Sequence, residues 1–538
     1  MKYLICFWFL FASIHFTFSQ KSFTRKDSLQ GGIRPERTCF DVQHYDLNIK
    51  INVEKRSIVG YNTISFKVVE TTKKIQIDLF PNMQVDSIVF HSQKLKYKRE
   101  YNAVFISFPT DLQIGSDEKI SFYYSGFPTI AKNAPWDGGF VFSKDKQGKP
   151  WIGVACQGIG ASVWYPCKDA QTDETDNGAS IKVAVPNGLM NVSNGRFLGS
   201  VDLKDGYTRW DWEVKYPINN YDITVNIADY AHIHDALDGL KLDYYVLKEN
   251  EKRAKLHFEQ VKPMLKCFQS KFGNYPFWDD GYKLVETSYL GMEHQSAISY
   301  GNKYNSGYVG RDLSSTGIGL LFDFIIIHES AHEWFGNSIT SDDIADMWIH
   351  EGFTQYAETV YIECQFGAEK AKTYINGLKN NVSNDKPIIG NYGVNNRGSG
   401  DMYAKGALFL NTLRNVINND TLWWELLLKF SKEYRNKIIN TKTVIAFFNK
   451  ESKMNLTPVF NQYLKYKNIP KLEINRKSEL LEYRWKTDVA DFNMPIDIAI
   501  DGKKMRIEPT TSWTKTAIKN TVTTKIEVPT DKFFIIVN

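Results

Sequence analysis

The chain has 538 residues, 43% hydrophobic and 14% aromatic, with 66 Lys and Arg against 61 Asp and Glu and a formal net charge of +5. That length is too great for one core and implies about three domains. The near-even charge excludes a nucleic-acid binder that works through bulk positive charge, and the composition is that of a globular protein.

Met1-Lys2-Tyr3 opens an apolar run that continues through Phe18. Thr17 and Ser19 then place small residues at the −3 and −1 positions of a cleavage site before Gln20. Residues 1–19 therefore read as a secretory signal, and the mature protein as exported, to a periplasm or to the outside, with no membrane association after cleavage. Cys6 lies too early in the run to be a lipid acceptor. The mature chain keeps Cys39, Cys156, Cys167, Cys267 and Cys364. Their number is odd and their spacing wide, so a disulfide is possible but no framework can be read.

From about Asp41 to Tyr230 strand follows strand. "YDLNIKINV", "SIVGYNTISFKVV", "KKIQIDLF", "KISFYYSG", "IKVAVP" and "YDITVNIADY" alternate apolar and polar residues between turn-forming ones. Lys94, Lys96, Lys98 and Arg99 fall at strand period and read as a solvated strand face, not a nucleic-acid patch. These segments predict an N-terminal antiparallel β-domain over residues 20–228. After Asp235 the texture changes. "ENEKRAKLHFEQVKPMLKCFQSKFG" has helical spacing and stops at Gly273. A strand, "YKLVETS", leads into "YLGMEHQSAISYGN", and helices are predicted over 316–336, 348–366, 402–418, 421–434 and 442–451. This mixed and helical region spans 229–468. Short strands return in "KLEINR", "LLEYRWK", "MPIDIAI", "KIEVP" and "KFFIIV", predicting a small C-terminal β-sandwich over 469–538. The fold class is multidomain α+β.

Chemistry concentrates in "HESAHEWFG", residues 328–336, in a chain with ten histidines. Four helical residues turn about 400°, so His328 and His332 project from one face and can share a metal ion. Glu329 sits beside that ion, where it can take a proton from an activated water. Eighteen residues separate His332 from Glu351 in "DMWIHEGFTQYAETVYIE". Glu351 can supply a third ligand, and three protein ligands with an open position make a catalytic zinc site. His350 would point about 100° away from Glu351 and is read as a packing or supporting group.

These motifs resemble the aminopeptidase N and leukotriene hydrolase family of gluzincin zinc peptidases. "FDVQHYDLNIKINVEKRSIVGYNTISF" and "WEVKYPINNYDITVNIADY" resemble the family's N-terminal β-domain, and "CQGIGASVWYPCKD" its segment that reaches the active site. The resemblance implies a thermolysin-like catalytic domain, one zinc ion per chain and removal of the N-terminal residue from peptides with a free N-terminus. It implies that Glu293, in Leu290-Gly291-Met292-Glu293-His294, holds the substrate's α-amino group together with Gln157, and that the backbone around Gly291 and Met292 pairs with the peptide. Leu290 and His294 depart from the family pattern, which has Gly and Asn there; His294 is expected to be neutral. Tyr403, in "DMYAKGALFLNTLR", matches the family's oxyanion-stabilising tyrosine. The large helical cap of many members has no counterpart, which implies a more open cleft or closure by another subunit. Three other readings differ in chemistry: a zinc endopeptidase, epoxide hydrolysis and a non-catalytic zinc-stabilised binding module.

Overall fold

The computed structural model describes residues 23–477, 479–518 and 525–538; the predicted export signal lies outside them. The N-terminal region is built on an eight-stranded sheet. Its long strands Phe40–Asn52 and Ser57–Val68 pair antiparallel, and Tyr45, Leu47, Ile49 and Ile51 bury one face at period two. A three-stranded sheet (Thr72–Asp78, Lys96–Glu100, Ala103–Leu112) and a four-stranded one (Gly139–Lys144, Pro150–Ala155, Met190–Val192, Asn226–Ala228) complete the region. Its apolar core runs on into Val285, Tyr289 and Met292 of the next region, which fixes the loop holding Gln157 against the site.

Two local expectations are corrected here. Lys94, Lys96 and Lys98 are exposed, but Arg99 turns inward and donates to the carbonyls of Met83 and Leu79. In "YDITVNIADY" only Asn226–Ala228 forms a strand before Tyr230. Asn219 caps a 3-10 turn at Asn220–Asp222, its side chain accepting from the Tyr221 N–H, and this diverts the chain.

The next region carries a five-stranded sheet. Its strands are β1 (Tyr230–Leu237), β2 (Leu240–Leu247), β3 (Tyr282–Glu286), β4 (Gly291–Met292) and β5 (Ile298–Tyr300), in the order β1-β2-β3-β5-β4. Helices α1 (Val261–Phe272), α2 (Phe324–Ala331), α3 (Trp348–Phe366) and α4 (Ala404–Ile417) share one apolar core with it. A disulfide between Cys267 and Cys364 ties α1 to α3; Cys39, Cys156 and Cys167 are buried thiols.

The helix predicted over 316–336 is shorter at both ends. Asp323 caps α2, its carboxylate accepting from the N–H groups of Ile325 at 2.9 Å and Ile326 at 3.2 Å, so Leu320 to Phe322 stay outside. The last strands form two sheets, one of Lys471–Lys477, Leu480–Lys486, Thr514–Ala517 and Ile536–Val537, the other of Ile496–Ile500, Lys503–Ile507 and Ile526–Glu527. Trp485, Phe492 and Phe533 join them to the helical core. No helix among the described residues is long and apolar enough to cross a membrane.

Candidate active site

The run Phe324-Ile325-Ile326-Ile327 buries α2 on every side, and the Asp323 cap is itself held by His257, Tyr300 and Asn302. The helix is a rigid post for His328 and His332. It ends at Ala331. Past it the backbone leaves helical geometry at Phe335 (φ −122°, ψ 97°) and Gly336 (φ +128°). That kink turns the Phe335 carbonyl back to accept from His332 Nδ1 at 2.9 Å. A side chain at residue 336 would press within 3.0 Å of His332 Nδ1, so glycine is required by both φ and space. His328 Nδ1 lies 2.7 Å from Glu358 Oε1, and Tyr374 at 2.6 Å and Gln355 hold that carboxylate in turn. With both Nδ1 atoms engaged, both Nε2 atoms face inward.

They face Glu351. Its Oε2 is 3.6 Å from His328 Nε2 and 3.3 Å from His332 Nε2. Tetrahedral zinc with bonds of about 2.0–2.2 Å has ligand-to-ligand edges of about 3.4 Å, so the three atoms have the separation a zinc ion needs. Glu351 Oε2 is also buried with no hydrogen-bond partner, and a cation held there would offset its desolvation. Burial raises the Glu351 carboxyl, but the imidazoles of His332 and His328 outweigh it and hold the group below the usual carboxylate range. The donor set and its spacing fit zinc, and supporting carboxylates on ring nitrogens are what such sites use.

Glu329 is 8% exposed and opens into the same cleft. Burial pushes its carboxyl up to about 7, against the pull of His328. A Cβ on Gly291 would come within 2.9 Å of Glu329 Oε1, so a glycine in β4 is what lets the edge strand lie beside this carboxylate. Oxygens of Glu293 and Glu329 and a ring nitrogen of His332 all lie within 4.8 Å of one another. Glu293 Oε1 accepts from Gln157 Nε2 and, at 3.3 Å, from the hydroxyl of Tyr221. Tyr403 donates to Glu351 Oε1 at 2.9 Å. That contact depends on a close crossing of α3 and α4, where a Cβ on Gly406 would lie 2.9 Å from the Gly352 Cα. Burial, reinforced by Glu351, pushes the Tyr403 hydroxyl well above the tyrosine range, so it is a proton donor at neutral pH.

One cleft of about 740 Å³ is lined by Gln157, Gly291, Met292, Glu293, His328, Glu329, His332, Glu351 and Tyr403, with Leu290, Lys386 and Arg397 on its walls. His294 does not reach it. It is fully buried, with Nδ1 3.1 Å from Ser299 Oγ, and burial lowers it to about 3, so it is neutral. His350 is also turned away, Nε2 accepting from the Ser341 N–H at 2.9 Å; burial lowers it to about 3. Sequence reasoning missed Glu358 and Tyr221. Glu358 left a signal, since it lies two helical turns beyond Glu351 on the same face of α3.

Comparison with known proteins gives the family. Residues 256–463 match the peptidase family M1 domain and residues 41–221 the peptidase M1 N-terminal domain. The chain belongs to the M1 peptidase family, whose members include aminopeptidase N and the endoplasmic reticulum aminopeptidases. Endoplasmic reticulum aminopeptidase 2 of Bos taurus is 24% identical over 405 residues, covering 70% of this chain and 42% of that protein. Aminopeptidase N of Lactobacillus helveticus is 21% identical over 408 residues, covering 71% and 46%. The match thus spans less than half the length of these relatives. An M1 zinc metallopeptidase mutant from Deinococcus radiodurans, solved with a Tyr-Ser-Ala substrate, superposes with a TM-score of 0.67 at 18% identity, covering 82% of this chain and 98% of that one. The fold is therefore also found in a chain without the additional length.

Proposed function

We propose that this protein is a zinc aminopeptidase that removes the N-terminal residue from peptides. The observation that carries this reading is the placement of Glu293 within 4.8 Å of Glu329 and His332, on the edge of the sheet. A carboxylate fixed beside the reacting centre binds a free ammonium and sets the scissile bond after one residue. Among the described residues β4 pairs only with β5, which leaves its other edge to receive a peptide backbone.

His328, His332 and Glu351 would hold the zinc. Bound there, it supplies Lewis acidity that activates water and polarises the scissile carbonyl. The chain's own groups do the rest. Gln157 and Tyr221 orient the Glu293 carboxylate toward the substrate amine. Glu329 takes the proton from the attacking water and later delivers it to the leaving amine. Tyr403 donates to the carbonyl oxygen as that oxygen gains charge.

The test is a matched pair of peptides, free and N-acetylated. The free peptide is expected to be cleaved and the acetylated one to resist. Glu293→Ala is expected to lower kcat/KM for the free peptide by about 10²-fold, roughly the worth of a charge-assisted hydrogen bond. Equal cleavage of both peptides would favour an endopeptidase instead.

We also propose that the protein is exported. The Cys267–Cys364 disulfide suits an oxidising compartment. A mature N-terminus at Gln20 in protein recovered outside the cytoplasm would agree; an intact Met1 there would not.

A further inference from the structure

The edge of the catalytic sheet opposite β4 is the β1–β2 hairpin, and it carries a second cluster of metal-ligand side chains. His232 and His234 stand two apart on β1, so both rings leave the same face. The hairpin register sets Asp243 opposite His234 and Tyr245 opposite His232. Asp243 Oδ1 lies 2.8 Å from His232 Nε2 and 2.8 Å from His234 Nδ1. The His232 ring stacks on Tyr245 at 4.1 Å between centroids and 13° between planes, which fixes its orientation. The side chains of His232 and Asp243 are 25% and 22% exposed, while that of His234 is 77% exposed. All three line a cleft of about 680 Å³ that Arg196 and Phe197 of the N-terminal region share.

We propose that His232, His234 and Asp243 form a second metal site, outside the catalytic centre, that takes one divalent transition-metal ion of the imidazole-preferring kind, such as zinc, nickel or copper. Two ring nitrogens and one carboxylate oxygen are too few oxygens for calcium or magnesium, and no thiolate is present to select copper(I). The three ligand atoms lie within 4.8 Å of one another, so the ion enters by parting hydrogen-bonded neighbours slightly, without moving the backbone. Both rings must turn their bare nitrogen to the ion, and each can do so by a change of tautomer alone.

Of the basic side chains around this cleft, Lys283 bears on Asp243. Lys283 stands beside Asp243 in the β2–β3 register, buried, with its amine donating to the Gly195 and Asp280 carbonyls. Its charge and the exposure of His234 make this site weaker than the buried centre around Glu351.

Zinc itself is the probe. Full-length mature protein would be equilibrated with zinc buffered in the low micromolar range, and metal per chain counted by mass spectrometry. Two ions are expected in the wild type and one in His232→Ala/His234→Ala, in Asp243→Asn and in the mild surface variant His234→Asn. Peptide-arylamide turnover is expected to be unchanged in all three, which also shows that each has folded. Copper added to wild type carrying a single zinc is expected to show two-nitrogen coupling in its electron paramagnetic resonance spectrum, lost in His232→Ala/His234→Ala. The same metal count in wild type and hairpin variants, whether one or two, would overturn the proposal, since any additional ion would then be adventitious.

Discussion

Glu329→Gln is expected to keep its zinc and its fold and to lose about 10²- to 10⁴-fold in turnover, the range that a positioned acid–base group contributes. Glu329 is not among the three groups that converge on the metal position, so the substitution leaves the ligand set whole. It replaces an 8% exposed ionisable group by a neutral one of the same shape. Burial already disfavours the charged form of this carboxyl, so the melting temperature should stay level or rise. Loss of rate with intact metal and stability would separate chemistry from structure. A variant with full turnover would remove Glu329 from the reaction.

Tyr403→Phe is expected to lower kcat by about 10²- to 10³-fold with little change in KM, the pattern of a donor used only as charge develops. The ring would stay: it stacks near His328, 6.1 Å between centroids and 26° between planes, and phenylalanine keeps that contact. Only the hydroxyl, 2.9 Å from Glu351 Oε1, is lost. Because burial holds this hydroxyl well above the usual tyrosine range, Tyr403 should contribute no loss of activity as pH rises through 9. A defect confined to KM would assign Tyr403 to substrate binding.

How much of this was legible in the sequence depends on how local each feature is. His328 and His332 are four apart, so helical geometry alone places them together. The alternating strands of the N-terminal region were readable for the same reason, since one face is buried and one is wet. Glu351 needed a second helix, and the eighteen residues between it and His332, with a second helical segment around it, supplied the hint. Tyr403 had no such signal. It reaches the site because α3 and α4 touch at Gly352 and Gly406, and two glycines fifty-four positions apart do not announce a contact. The disulfide, with a sequence separation of 97, is equally silent. Asp323 shortened the predicted helix because a cap outcompetes an apolar run, and its spacing before Ile325 and Ile326 was there to be read. His232 and His234 alternate on a strand, but Asp243 joins them only through the hairpin register. The resemblance to a known family placed Glu293, Gln157 and Tyr403. The structure supplies the reasons for their neighbours: Gly291 makes room for Glu329, and Gly336 makes room for His332.

The central claim is that two imidazoles and a carboxylate, brought to 3.3 and 3.6 Å separations, hold one ion on which hydrolysis depends. The most direct measurement is aminoacyl-arylamide hydrolysis by the purified protein before chelation, after chelation, and after stepwise return of zinc. Activity is expected to vanish with the tightly held ion and to return as the first equivalent binds, with His328→Ala failing to recover. Hydrolysis that persists in metal-free protein, or that zinc does not restore to a chain that is still folded, would contradict the account.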